Sequence, residues 1–139
     1  NLKCREVEHP TELLLQRSEG ADRFCECDDT AVVLFNHSSS IMADREYLGS
    51  IADAGNFFPS PSVFVYTLPN IVTGEIAIRN HYHGATALYI LPDKDEALMQ
   101  QIVDAAFRDG HTRRMIAGWV DAMDEENFEA DLQLLTLPQ

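Results

Sequence analysis

Residues 84–110, GATALYILPDKDEALMQQIVDAAFRDG, decide the architecture: an apolar run, Ala85–Leu91, stops at Pro92 and gives way to an amphipathic stretch that a glycine closes. The run has the length and composition of a buried strand. In the stretch after it, Leu98, Ile102 and Ala105 form one helical row and Met99, Val103, Ala106 and Phe107 the next, which predicts a helix over Asp95–Asp109 ended by Gly110. Asp93 with Glu96 three residues on has the form of a capping box, in which each side chain satisfies an otherwise unpaired first-turn amide. A buried strand feeding a helix is the unit of an α/β protein.

The same alternation extends in both directions. Upstream, Thr11–Ser18 after Pro10 reads as a short helix, and Ala31–Phe35 as a strand apolar enough to be buried on both faces. Asn36–Ser40 turns the chain, and the spacing of Ile41, Met42, Tyr47, Leu48 and Ile51 predicts a helix to Ala54, closed by Gly55-Asn56. Phe57–Pro69, rich in Pro and Phe, reads as an extended crossing and not as a helix. Asn70 is a candidate cap for a helix whose face is Ile71, Val72, Ile76, Ala77 and Ile78, with Gly74 where a neighbouring backbone could come close. Downstream, Arg113–Ala122 carries the third strand, Asp124–Asn127 a polar turn, and Phe128–Leu137 alternates as a last, antiparallel strand. The expectation is one α/β domain over 1–139, a layered mixed sheet flanked by helices, with no internal repeat or low-complexity segment.

Composition limits the partners. Ten Lys plus Arg against 23 Asp plus Glu leave a net charge of −13. That field excludes nucleic acid and anionic membranes as partners, and it opposes an acidic carrier protein unless the few basic residues cluster. No apolar run reaches the roughly 18 residues that a membrane span needs, so a soluble, cytoplasmic protein is expected.

Some residues could carry chemistry by themselves. Cys4, Cys25 and Cys27 are an odd set that cannot all pair, and reduced thiols are expected. With His9 they could supply four ligands to a soft metal, although Asp22, Glu26, Asp28 and Asp29 make the Cys-x-Cys segment read as a solvated turn. His81 and His83 have the alternate spacing of some metal sites, yet they follow a helix end, where imidazole meets the negative pole. His37 before Ser38, Ser39 and Ser40 suggests a hydrolase only superficially, since no nucleophile elbow surrounds the serines; a turn after a buried strand explains them. Phe57, Phe58, Phe64 and Tyr66 could line a groove or anchor an irregular loop.

Ser60-Pro-Ser-Val-Phe-Val-Tyr-Thr-Leu-Pro-Asn70, Gly74-Glu-Ile-Ala-Ile-Arg79, the Gly84–Leu91 run and Met115-Ile-Ala-Gly118 occur in an order that resembles the β-ketoacyl-acyl-carrier-protein synthases, amino-terminal half only. The resemblance covers about Ala31 to Ala122. It implies one half of the thiolase fold, in which the buried strand ends at a nucleophilic cysteine. Counting forward from Gly84 and back from Gly110 places that nucleophile at Asp93, so a carboxylate stands for the thiol. Lys94, Asp95 and Glu96 occupy places where the family has small residues that admit an acyl chain, while Trp119 and Asp121 also depart from its pattern.

A carboxylate attacking a thioester would give a mixed anhydride, higher in energy than the thioester itself. The resemblance therefore implies a non-catalytic ketosynthase-like subunit for fatty-acid or polyketide-type chain synthesis, with no cofactor and no metal. It implies association as a homodimer, or as a heterodimer with a full-length ketosynthase, through the strand bearing Ala87, Leu88, Tyr89 and Ile90, which in the family lies at the edge of the sheet and pairs across the dimer axis. A residual 3-oxoacyl-acyl-carrier-protein synthase or carrier-binding activity, and a small metal-binding module, are the alternatives. Asp93 itself reads as a helix cap worth about 1 kcal/mol, since no partner base is identifiable near it in sequence.

Overall fold

A computed structural model describes residues 10, 11, 13, 14, 28–55 and 59–138. Its elements are β1 (Thr30–Asn36), α1 (Ile41–Ile51), α2 (Pro61–Val65), α3 (Ile71–Asn80), β2 (Thr86–Ile90), α4 (Glu96–Ala106) with a 3-10 turn at Phe107–Asp109, β3 (Arg114–Ala122) and β4 (Phe128–Thr136). Pro10, Thr11, Leu13 and Leu14 are helical, as expected for the first helix.

The strands form one mixed sheet in the order β2-β1-β3-β4. β1 is parallel to both β2 and β3, with Phe35 opposite Tyr89 on one side and Trp119 on the other. β4 returns antiparallel to β3, pairing Trp119 with Asp131. The α/β layered arrangement expected from the alternating pattern is therefore the one adopted.

Each face of the sheet has its own core. Val32 and Leu34 of β1 with Ile116 and Val120 of β3 meet Val72, Ile76 and Ala77 of α3. Val33 and Phe35 with Met115, Ala117 and Trp119 meet Val103 of α4, and Met99, Ile102 and Ala106 pack beside it. Every residue of β1 is buried, because the strand has a neighbour on each side and a helix layer on each face. The chain reaches β2 through α3 on one face and leaves it through α4 on the other, so the connections at the carboxyl ends of β1 and β2 diverge.

Four expectations are corrected by the fold. The Ala85–Leu91 run is a strand but not a buried one: β2 is the sheet edge, and its residues are half-buried or exposed because only β1 lies beside it. Within the segment expected to be an extended crossing, Pro61–Val65 forms α2. Pro61 stands at the first helical position, where its missing N–H costs nothing, and the Ser60 hydroxyl accepts from the Val63 amide at 3.4 Å.

Close backbone approach occurs at Gly84 and not at Gly74. A Cβ on Gly84 would collide with the Thr30 carbonyl, whereas nothing lies within 4 Å of the corresponding place on Gly74. Fourthly, α4 is capped by Asp95 and not by Asp93. Asp95 is extended (φ −101°, ψ 97°) and its carboxylate accepts from the Leu98 amide at 3.0 Å.

Candidate functional site

In an open sheet with parallel strands, chemistry concentrates outside the strands' carboxyl ends, where successive connections leave toward opposite faces. That place here is the crevice between the β1 turn, residues 37–40, and the β2 turn, residues 91–95.

Asp121, at the end of β3, organises the first turn. Its Oδ1 accepts the Ser38 amide at 2.8 Å and the His37 amide at 3.3 Å, and its Oδ2 accepts the Ser38 hydroxyl at 3.1 Å. The His37 ring spans the crevice: Nδ1 lies 3.1 Å from the Leu91 carbonyl, which can only accept, so Nδ1 carries the proton. Asn36 supports the turn from below, donating Nδ2–H to the Ser39 carbonyl at 3.1 Å. Ser39 has φ 52°, a left-handed conformation that a non-glycine residue adopts only when its surroundings hold it there. The Ser40 hydroxyl donates to the Thr67 carbonyl at 2.6 Å, tying α1 to the segment after α2. With Ser38 on a carboxylate and His37 on a main-chain carbonyl, there is no serine–histidine hydrogen bond in this turn.

Across the crevice, Leu91 still donates its amide to the Asn36 carbonyl at 2.7 Å, and Pro92 then removes the next donor and fixes its φ. Asp93 is exposed, and no hydrogen bond joins its side chain to a described residue. Lys94 is drawn toward β4, with Nζ 3.0 Å from Glu129 and 3.4 Å from Asp131. The hydrogen bond to Glu129 raises the Lys94 pKa above its ordinary value, against the opposing effect of desolvation, and the charge of Glu129 and then Asp131 add to the rise. Because Asp95 is the cap, Asp93 stands two residues outside the helix, so Asp93 and Glu96 do not form the expected box. Glu96 becomes the first helical residue and lends its charge to the positive end of α4. Beside this turn a hollow of about 170 Å³ opens between α4 and β4.

The other sequence candidates are placed as follows. Ala87 and Leu88 are half-buried, while Tyr89 is 41% and Ile90 52% exposed. Leu88 leans on the α3 side of the core and Tyr89 stacks on Phe35 at 5.6 Å. The Ala85 carbonyl accepts from Val32, and Leu91 donates to Asn36. Because bonding alternates along a parallel ladder, Thr86, Leu88 and Ile90 turn their N–H and C=O groups to the open side, where no described strand pairs with them.

His81 closes α3 with its main chain and not its ring, at φ 56° with its amide on Ala77 and Ile78 carbonyls. Among the described residues no three His, Cys, Asp or Glu side chains converge to hold a metal ion. Cys4, Cys25, Cys27 and His9, like Phe57 and Phe58, lie outside the described residues. Among the described residues no helix is long and apolar enough to cross a membrane. The anchoring role of Asp121 escaped the sequence reading, since nothing local pairs an acid at position 121 with a turn 83 residues earlier.

No protein-family model and no curated protein matches the sequence. Among solved structures, the chain is similar to a ketosynthase (ApeO) in complex with its chain length factor (ApeC) from Xenorhabdus doucetiae. The TM-score is 0.58 at 16% identity, over 86% of this chain and 45% of the other. It is also similar to the ishigamide ketosynthase/chain length factor, again with a TM-score of 0.58 at 16% identity, over 75% of this chain and 29% of the other. The chain thus has a ketosynthase-like fold and spans less than half the length of these neighbours.

Proposed function

We propose that the chain is a non-catalytic ketosynthase-like subunit of fatty-acid or polyketide-type chain assembly, pairing through β2 with a ketosynthase-like partner. The observation that carries the reading is the edge of β2: an apolar strand whose outer main-chain groups meet no strand among the described residues, on a fold shared with ketosynthase/chain length factor complexes. Such an edge invites pairing with a second strand. Ala87, Leu88, Tyr89 and Ile90 form the proposed interface, and the partner is a second copy or a full-length ketosynthase.

The absence of catalysis is argued from Asp93, taken as the counterpart of the family's nucleophile. A carboxylate there offers no productive acyl intermediate. The end of α4 gives no help, because the Asp95 carboxylate already occupies the Leu98 amide and brings negative charge to the pole that would otherwise stabilise a thiolate.

Light scattering after size exclusion, alone and with a co-expressed ketosynthase, tests the pairing. The expected result is a dimer at micromolar concentration that Ile90→Lys dissociates while far-UV circular dichroism is unchanged. A wild-type monomer in both settings, or a dimer indifferent to Ile90→Lys, refutes the pairing through β2. Acyl transfer by the purified chain that Asp93→Ala abolishes refutes the non-catalytic assignment.

A further inference from the structure

The hollow between α4 and β4 lies on the opposite side of β1 from the β2 edge and plays no part in the pairing just proposed. Its floor is apolar: Phe35, Val103 and Ala117 are buried core residues, and Met99 and Leu135 are half-buried beside them. At about 170 Å³ it is close to the roughly 150 Å³ of a cavity that holds benzene. Its rim carries Glu96, Asp131 and Gln133.

Charge selects the occupant. Lys94 is the rim's cation, and it is paired with Glu129 and with Oδ2 of Asp131. No hydrogen bond to a described residue engages the Glu96 carboxylate, the Gln133 side chain or Oδ1 of Asp131. The two carboxylates are acceptors and the Gln133 amide offers an acceptor oxygen beside its own donor, all over an apolar floor in a protein of net charge −13. An anion is repelled there, whereas an ammonium group offers three donors to that rim. We infer that the hollow binds a small organic ammonium compound, a primary amine on an aromatic or short aliphatic body the size of benzene.

Benzylamine is the probe, with benzyl alcohol and benzoate as its neutral and anionic counterparts. Trp119, the sole tryptophan, lies on the same sheet face and pairs in register with Phe35 and Asp131. Its fluorescence reports occupancy, and amide chemical shifts of the intact protein report the location. Benzylamine is expected to shift the amides around Met99, Val103, Ala117 and Leu135 and to bind about tenfold more tightly than benzyl alcohol. Benzoate is expected not to bind.

Lys94→Met removes the competing cation and should tighten benzylamine binding about threefold or more, an effect that added salt diminishes. The wild-type titration needs no variant, so a folding defect in Lys94→Met leaves the test intact. The inference is overturned if these amides do not move at about 10 mM amine. Equal binding of benzoate, or weaker amine binding by folded Lys94→Met, also overturns it. None of these results bears on the oligomeric state, so the β2 pairing stands or falls separately.

Discussion

Replacing Asp95 by Ala tests the cap that distinguishes the observed α4 from the one the sequence suggests. Asp95 Oδ1 receives the Leu98 amide at 3.0 Å, and the loss of that acceptor leaves a first-turn N–H to water. Cap removal of this kind costs about 1 kcal/mol. Glu96 remains at the first helical position, so the favourable charge at the helix start is only partly lost. The cost is transmitted to the whole fold, because α4 supplies Val103, Met99, Ile102 and Ala106 to one of the two cores. For a folded unit of this size, 1 kcal/mol corresponds to about 3 °C in Tm.

Urea denaturation followed by Trp119 fluorescence measures it directly, since Trp119 belongs to the core that α4 covers. Asp95→Asn keeps an acceptor and should recover most of the loss. Asp93→Ala, at an exposed side chain with no hydrogen bond to a described residue, should stay within about 0.5 kcal/mol of wild type. A penalty for Asp93→Ala equal to or above that of Asp95→Ala would return the cap to position 93 and refute the reasoning.

Gly84→Ala forces a Cβ onto the Thr30 carbonyl at the start of the central strand, and a loss of about 2 kcal/mol or more is expected in the same urea assay; a neutral result would mean that the strands can separate there freely. Asp121→Ala leaves the His37 and Ser38 amides without their acceptor and should cost roughly 2 kcal/mol, with faster hydrogen exchange at Ser38 as its local signature. Asp109 is held down to about 2 by the Thr112 hydroxyl first, then by the Thr112 and His111 amides. Its contribution is therefore complete above its ordinary 3.8 and is lost as pH falls through about 2. Thr112→Val should flatten the fall of Tm across that window, and superimposable acid limbs for the two proteins would contradict the assignment.

The strand–helix order, the antiparallel last strand and the helix stop at Gly110 were legible because hydrophobic period and glycine placement are local properties. Local signals misled where two were superposed. Pro61 spoke against a helix in a Pro-rich stretch, but Ser60 before it turned that proline into a helix starter. The Asp93/Glu96 spacing imitated a capping box, but the helix takes its cap from Asp95, whose extended backbone and carboxylate on the Leu98 amide set the start.

The sequence by itself determined the four strands and the longer helices α1, α3 and α4, and placed a carboxylate at position 93, because periodicity and residue identity need no neighbours. The resemblance already implied an edge position for β2; tertiary structure decided that β1 is central and how far β2 is exposed, although both are similarly apolar, because burial depends on what pairs alongside a strand. It also decided that Asp121 anchors the crevice turn and that α4 and β4 enclose a hollow, since both arise from side chains that meet only after the sheet has formed.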